Sequence, residues 1–181
     1  MQKSQGWIKN NRKVAYDSPF LKVYEDEVIL PNGKSIPDYT VVEKPSITVI
    51  VATDDKNRVL LVNEYKYAAN QFLWGLPAGH VKEREMPIEV AKRELLEETG
   101  MSVNLVTEKG ILKEYPTKDL HIVYVVKAEG VKPEGKTNHE ETETIDKMRF
   151  FTKEEILDQI HQGNILSSTT ISGLVLAGVL C

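Results

Sequence analysis

The chain has 181 residues, a hydrophobic fraction of 41% and a formal net charge of −4. That is one domain's worth of chain with enough apolar residues for a core, and no basic field for nucleic acid. The single cysteine, Cys181, excludes a disulfide framework, and no apolar run is long enough to span a bilayer. The opening Met-Gln-Lys-Ser-Gln-Gly-Trp lacks the apolar run of a signal peptide, so a cytoplasmic protein is expected.

Taken in chain order, Phe20 to Leu30 and Lys34 to Val42 flank Pro-Asn-Gly, and Asn32-Gly33 is a strong hairpin signal. Ser46 to Ala52 is rich in β-branched residues and reads as a buried strand. A turn at Asp54 to Asn57 leads to a strand from Val59 to Asn63, and residues 72–78 form a short strand or loop. Pro87 suits a first helical turn and Gly100 the left-handed residue past a helix end, so a helix is predicted over 87–99. Strands follow at Leu105 to Tyr115, Leu120 to Ala128 and Met148 to Phe151, with a polar loop from Gly130 to Asn138. Thr152, with Glu155 in the reciprocal capping position, opens a helix to about Gln162, and Ser167 to Thr170 cap a last one. Strands and helices mix without a repeating strand–helix–strand order, which predicts an α+β fold with helices on a mixed sheet.

The predicted helix at 87–99 carries most of the chemistry. Glu94, Glu97 and Glu98 stand three and four apart and gather on one patch. Ile88, Ala91 and Leu95 form a separate apolar arc that seats the helix on a core. The repulsion among the acids calls for a positive partner. Arg93 supplies part of it, and a hard divalent cation with oxygen ligands would supply more. The plain alternative is a solvated acidic face. His80, His121, His139 and His161 show no metal-ligand spacing, and there is neither a Gly-x-Gly-x-x-Gly after a strand nor a Walker loop. Trp7, Tyr24, Tyr39 and Trp74 read as packing residues rather than base-stacking ones.

The same window resembles the Nudix box. Gly79, Glu85, Arg93, Glu94, Leu95, Glu97, Glu98, Gly100 and Met101 agree with every fixed place of that pattern. The resemblance implies a Nudix hydrolase with an α/β/α sandwich, which cleaves a nucleoside diphosphate linked to another moiety. Beyond the box, residues 61–67, 76–79 and 160–177 are similar to the ADP-ribose pyrophosphatase branch. In that branch a segment like residues 1–44 crosses onto a partner, so a homodimer and a division into 1–44 and 45–181 are implied.

The resemblance also implies roles. Glu94, Glu97, Glu98 and the backbone oxygen of Ala78 match ligand positions for Mg2+ or Mn2+, with Glu97 and Glu98 counted as catalytic. Gly79, Glu85 and Arg93 are structural within the box. Glu141, in the run His-Glu-Glu-Thr-Glu at 139–143, matches the general base, and Glu143 a helper or ligand; a solvated acidic loop is the alternative. Lys66 and Pro116 match substrate contacts. Lys66 replaces the usual arginine, and a lysine cannot grip a phosphate in a fork. Gly75 stands where a glutamate is common, and Thr-Lys-Asp-Leu follows Pro116 in place of a Ser-Pro-Gly type loop. The implied substrate is ADP-ribose or a related nucleoside diphosphate sugar, with no nucleic-acid or membrane partner. Hydrolysis of other nucleoside di- or triphosphate derivatives and a non-catalytic ligand sensor are the alternatives.

Overall fold

The computed structural model describes residues 6–135 and 144–180. Two compact units emerge. One runs to Pro45 and takes in Lys113–Ile122; the other holds Ser46–Leu112 and Val123 onward.

The first unit is a three-stranded antiparallel meander of β1 (Ile8–Ser18), β2 (Leu21–Ile29) and β3 (Ser35–Glu43). The Asn32-Gly33 turn joins β2 to β3 as the sequence predicts, and Leu30 and Lys34 close it through a 2.8 Å backbone hydrogen bond. β1 is an addition to the predicted hairpin. Its sequence has no apolar alternation, and nearly all of it is exposed, so no periodicity marks it. It is held instead by its ladder to β2 and by a bidentate pair from Arg12 to the buried Asp26, with both bonds at 2.7 Å. The Arg12 guanidinium holds the Asp26 carboxyl below the usual carboxylate range. Lys113–Ile122 joins this unit because Lys44 binds both Asp119 (2.8 Å) and Glu114 (3.2 Å), and Val42 exchanges backbone bonds with Lys118 and Leu120.

The second unit contains β4 (Ile47–Thr53), β5 (Val59–Lys66), β6 (Gln71–Gly75) and β7 (Ala78–His80), followed by helix α1 (Pro87–Thr99). Then come the two-residue β8 (Met101–Ser102), β9 (Leu105–Leu112), β10 (Val123–Glu129), the two-residue β11 (Lys132–Pro133) and β12 (Ile145–Phe151), with α2 (Lys153–His161) and α3 (Ser168–Leu176) at the end. The main sheet runs β12-β5-β4-β10-β9, with β6 on β5 and β7 on β4. β4 and β10 are parallel, and the other pairs are antiparallel. The mixed sheet of the predicted α+β class is therefore present.

Period-two alternation sorts the apolar residues to two faces. Val49, Val51, Val59, Leu61, Val123 and Val125 face Ile156 of α2 and Leu174 of α3. Ile50, Ala52, Leu60, Val126 and Ala128 face Ala91 and Leu95 of α1. Helices thus cover both sides of the sheet, an α/β/α sandwich. Each Val or Leu sealed in these clusters contributes about 1.5–3 kcal/mol. Trp74 packs edge-on against Phe151 with ring centroids 4.8 Å apart, which places it in this core.

Several boundaries differ from the sequence reading. Residues 72–78 divide into β6 and β7, and the strand predicted to Tyr115 stops at Leu112, where the chain leaves for the other unit. The strand expected from Leu120 begins at Val123 for the same reason, and β12 starts three residues before the expected Met148, at Ile145. Among the described residues no helix is long and apolar enough to cross a membrane.

Thr152 caps α2 as predicted: its side chain accepts from the Glu155 N–H, and Glu155 accepts from the Thr152 N–H at 2.8 Å. Thr152→Ala should lower the unfolding free energy by about 1 kcal/mol in urea titration while leaving the m-value unchanged.

Candidate active site

The site is built where β7 runs beside α1. Pro87 occupies the first helical position, and the Glu89 carboxylate accepts from the Met86 N–H at 2.9 Å, which satisfies one of the free donors at the helix start. At the far end Gly100 adopts φ 65° and returns its N–H to Leu96. The helix thus runs 87–99, as its end signals indicate.

Its buried face differs from the predicted one. Val90, with Ala91 and Leu95, makes the apolar stripe, whereas Ile88 is only half-buried. Glu94 and Glu98 belong to that same buried stripe, at 8% and 5% exposure. The expected separation between an apolar arc and an acidic patch is therefore absent: two of the acids are carried inward with the core residues. Glu97 lies at the rim, its side chain 40% exposed.

Gly79 explains how Glu94 fits. A Cβ at position 79 would stand 1.8 Å from Glu94 Oε1 and 2.0 Å from its carboxyl carbon. Only the bare backbone of glycine leaves the space that the carboxylate fills. One residue earlier, the Ala78 N–H lies 3.4 Å from Glu98 Oε1. Ala78, Gly79, Glu94 and Glu98 are thus brought together.

Arg93 ties the acids into one electrostatic unit. Its Nε and Nη2 donate to Glu85 at 2.9 and 3.1 Å, and its Nη1 donates to Glu94 at 2.6 Å and Glu97 at 3.2 Å. Nη2 also donates to the His80 carbonyl, which ties the helix to the strand. The Glu85 carboxylate, followed by Glu94 and Glu97, raises the Arg93 pKa above the ordinary arginine value despite its partial burial. In turn Arg93 holds Glu85 below its ordinary value. The structure thus places Gly79 against Glu94 and joins Glu85 to Arg93.

Among the described residues no three His, Cys, Asp or Glu side chains converge closely enough to form a metal cage by themselves. Mg2+ does not need one, since it commonly binds through one or two carboxylates with waters and substrate phosphates completing its shell. Two buried carboxylates beside the Ala78–Gly79 backbone are an all-oxygen donor set of that kind. The residues present fit the ion.

Lys66 ends β5 in the second unit, half exposed, with its ammonium on Glu64. Pro116 is exposed in the Lys113–Ile122 segment of the first unit. Glu141 and Glu143 fall outside the described residues. A buried neighbour of Gly79 that the sequence reading did not single out is Thr48. It is fully buried on β4 in register with Gly79, and no motif marks a lone threonine in a β-branched strand.

Residues 43–168 match the NUDIX domain family, and residues 7–42 match the nucleoside diphosphate sugar hydrolase N-terminal domain family. The chain belongs to the Nudix family. It is a Nudix pyrophosphatase, similar to the ADP-ribose pyrophosphatase branch. An ADP-ribose pyrophosphatase of Mycobacterium tuberculosis is 31% identical over 83% of this chain and 72% of its own length. A CMP-5'-(N-acetyl-N-hydroxy-3-aminopropyl)phosphonate hydrolase of Streptomyces rubellomurinus is 28% identical over 93% of this chain and 81% of its own. A crystal structure of an ADP compounds hydrolase shares the fold, with a TM-score of 0.83 at 20% identity, covering 98% of this chain and 95% of that one. Nudix hydrolases generally require divalent metal ions.

Two outcomes follow from the geometry. Gly79→Ala displaces the Glu94 carboxylate and should cost at least about tenfold in kcat while circular dichroism stays native, because the clash is confined to one side chain. Glu85 has a depressed folded-state pKa, so its contribution to stability is present above the unfolded value of about 4.3 and is lost as pH falls through the folded value. The stability difference between wild type and Glu85→Gln, read from urea melts across pH, should therefore be largest near neutrality and shrink below about pH 4.

Proposed function

We propose that this Nudix pyrophosphatase hydrolyses the diphosphate linkage of ADP-ribose or a related nucleoside diphosphate sugar, giving a nucleoside monophosphate and a sugar phosphate, in a reaction that depends on Mg2+ or Mn2+. The observation that carries the reading is the pair of buried carboxylates, Glu94 and Glu98, held beside the Ala78–Gly79 backbone. Burying two carboxylates side by side costs stability unless positive charge offsets it. Arg93 offsets part of that cost from one side. The N-terminal match to nucleoside diphosphate sugar hydrolases supports the substrate class.

Glu94 and Glu98 would hold the ion, with the Ala78 carbonyl and the more exposed Glu97 beside them. A bound divalent ion polarises phosphoryl oxygens and offsets charge that develops in the transition state. The chain's own groups do the rest. Arg93 holds Glu94 and Glu97 in place through its hydrogen bonds. Glu141 takes the proton of the attacking water in this assignment, with Glu143 as helper or ligand. Lys66 offers a single cation to the phosphates, and Pro116 shapes the substrate side.

A homodimer built through residues 1–44 belongs to the same reading. The exposed Trp7, Ile8, Val14, Tyr16 and Phe20 of the meander support it, since covering such a surface is favourable. The division at residue 44, a cytoplasmic setting and the lack of nucleic-acid or membrane partners complete the proposal.

A second reading has one observation in its favour. The Streptomyces relative, which matches nearly the whole chain, is named for a CMP-linked phosphonate. Cytidine and non-sugar leaving groups therefore belong in the test.

Purified protein should turn over at least one member of a panel of ADP-ribose, UDP- and CDP-linked sugars, CMP-linked phosphonates, dinucleoside polyphosphates and nucleoside triphosphates, and EDTA should abolish that turnover. Glu98→Gln should lower kcat by about a hundredfold or more, which corresponds to about 3 kcal/mol of lost transition-state stabilisation. Silence across the panel with either metal would refute the activity, and a fully active Glu98→Gln would refute the ligand assignment.

A further inference from the structure

Thr48 sits in the middle of the site's floor and has no role in the reading so far. It is fully buried, and among the described residues its Oγ1 has no hydrogen-bond partner. A buried hydroxyl without a partner is unfavourable, and a valine would fill the same β-branched shape without that cost.

The sheet register says what the hydroxyl faces. Thr48 is directly opposite Gly79 in the antiparallel β4–β7 pair. Directly opposed residues project to the same side of the sheet, with Cβ positions about 4.5–5.5 Å apart. The Cβ direction of Gly79 points at Glu94, whose Oε1 occupies the space 1.8 Å from where that atom would be. Alternation along β4 agrees: Ile50 and Ala52, two and four residues on, pack with Ala91 and Leu95 of α1. Thr48 and Glu94 therefore share one side of the sheet, with no direct hydrogen bond from the Thr48 hydroxyl.

We infer that Thr48 is a positioning residue for Glu94, its O–H donating to the Glu94 carboxylate through one bridging water and fixing the orientation in which that carboxylate receives the cation. The inference rests on the ligand assignment proposed above. Glu94 Oε1 already accepts from Arg93, and a carboxylate has further lone pairs to offer. Arg93 approaches from the helix, whereas Thr48 approaches from the sheet. Donors arriving from two different elements fix a carboxylate plane more firmly than donors from one element do. Partners of this kind behind metal ligands typically govern affinity or activity by about 10–100-fold.

The test compares wild type, Thr48→Val and Thr48→Ser by Mn2+ binding, followed by electron paramagnetic resonance without substrate, together with kcat and thermal melting. Thr48→Val should weaken Mn2+ binding and lower kcat by about tenfold or more, with a melting temperature no lower than wild type. Thr48→Ser, which keeps the hydroxyl, should stay near wild type in Mn2+ affinity. Wild-type Mn2+ affinity in Thr48→Val would overturn the inference, as would equal weakening in both variants, which would point to shape rather than to the hydroxyl. A wild-type chain with neither Mn2+ binding nor metal-dependent turnover would sink the proposed function and this inference with it. Failure of the inference alone leaves wild-type turnover and its loss in Glu98→Gln intact.

Discussion

The contact between Glu94 and the bare α-carbon of Gly79 is the constraint on which the site depends. A helix that carried its carboxylates only on its outer face would present them to water, where they would repel one another weakly and hold an ion weakly. Here α1 rolls Glu94 and Glu98 into its buried stripe with Val90, Ala91 and Leu95. The strand accepts Glu94 because it has no side chain at position 79. Packing that normally buries aliphatic groups thus places two charges at fixed positions.

Arg93 makes that placement tolerable. Two buried acids without a cation would raise each other's energy and favour protonation. One guanidinium reaching Glu85, Glu94, Glu97 and the His80 carbonyl offsets the charge and locks the loop ahead of the helix to the helix itself. A planar group with five donors can serve four acceptors at once, which an ammonium on a flexible stem cannot do with the same geometry.

The sheet supplies the rigidity that the acids need. β4 lies at its centre, parallel to β10 on one side, and carries β7 in register with Ile47 through Val49. The backbone at Ala78 and Gly79 is therefore fixed by the best-buried strand of the unit rather than by a free loop. Helices on both faces exclude water from that strand. Carboxylates set on such a support would need little reorganisation to receive the cation proposed for them.

The sequence by itself determined the elements whose signals are local. The Asn32-Gly33 turn, the Pro87 and Gly100 ends of α1, the Thr152–Glu155 cap and the alternating aliphatic strands all arise from the residues within a few positions, so they could be read in order along the chain. The residues of the Nudix box, Gly79, Glu85 and Arg93 among them, were legible for the same reason. Tertiary structure alone decided what depends on distant partners: the pairing that makes the polar, unpatterned Ile8–Ser18 a strand, the departure of Lys113–Ile122 to the other unit, and the burial of Val90 in place of Ile88. It also decided that Glu94 and Glu98 turn inward, and that an unremarkable Thr48 lies opposite Gly79. Those outcomes are fixed by sheet register and by the space left between packed elements, neither of which a single segment of chain encodes.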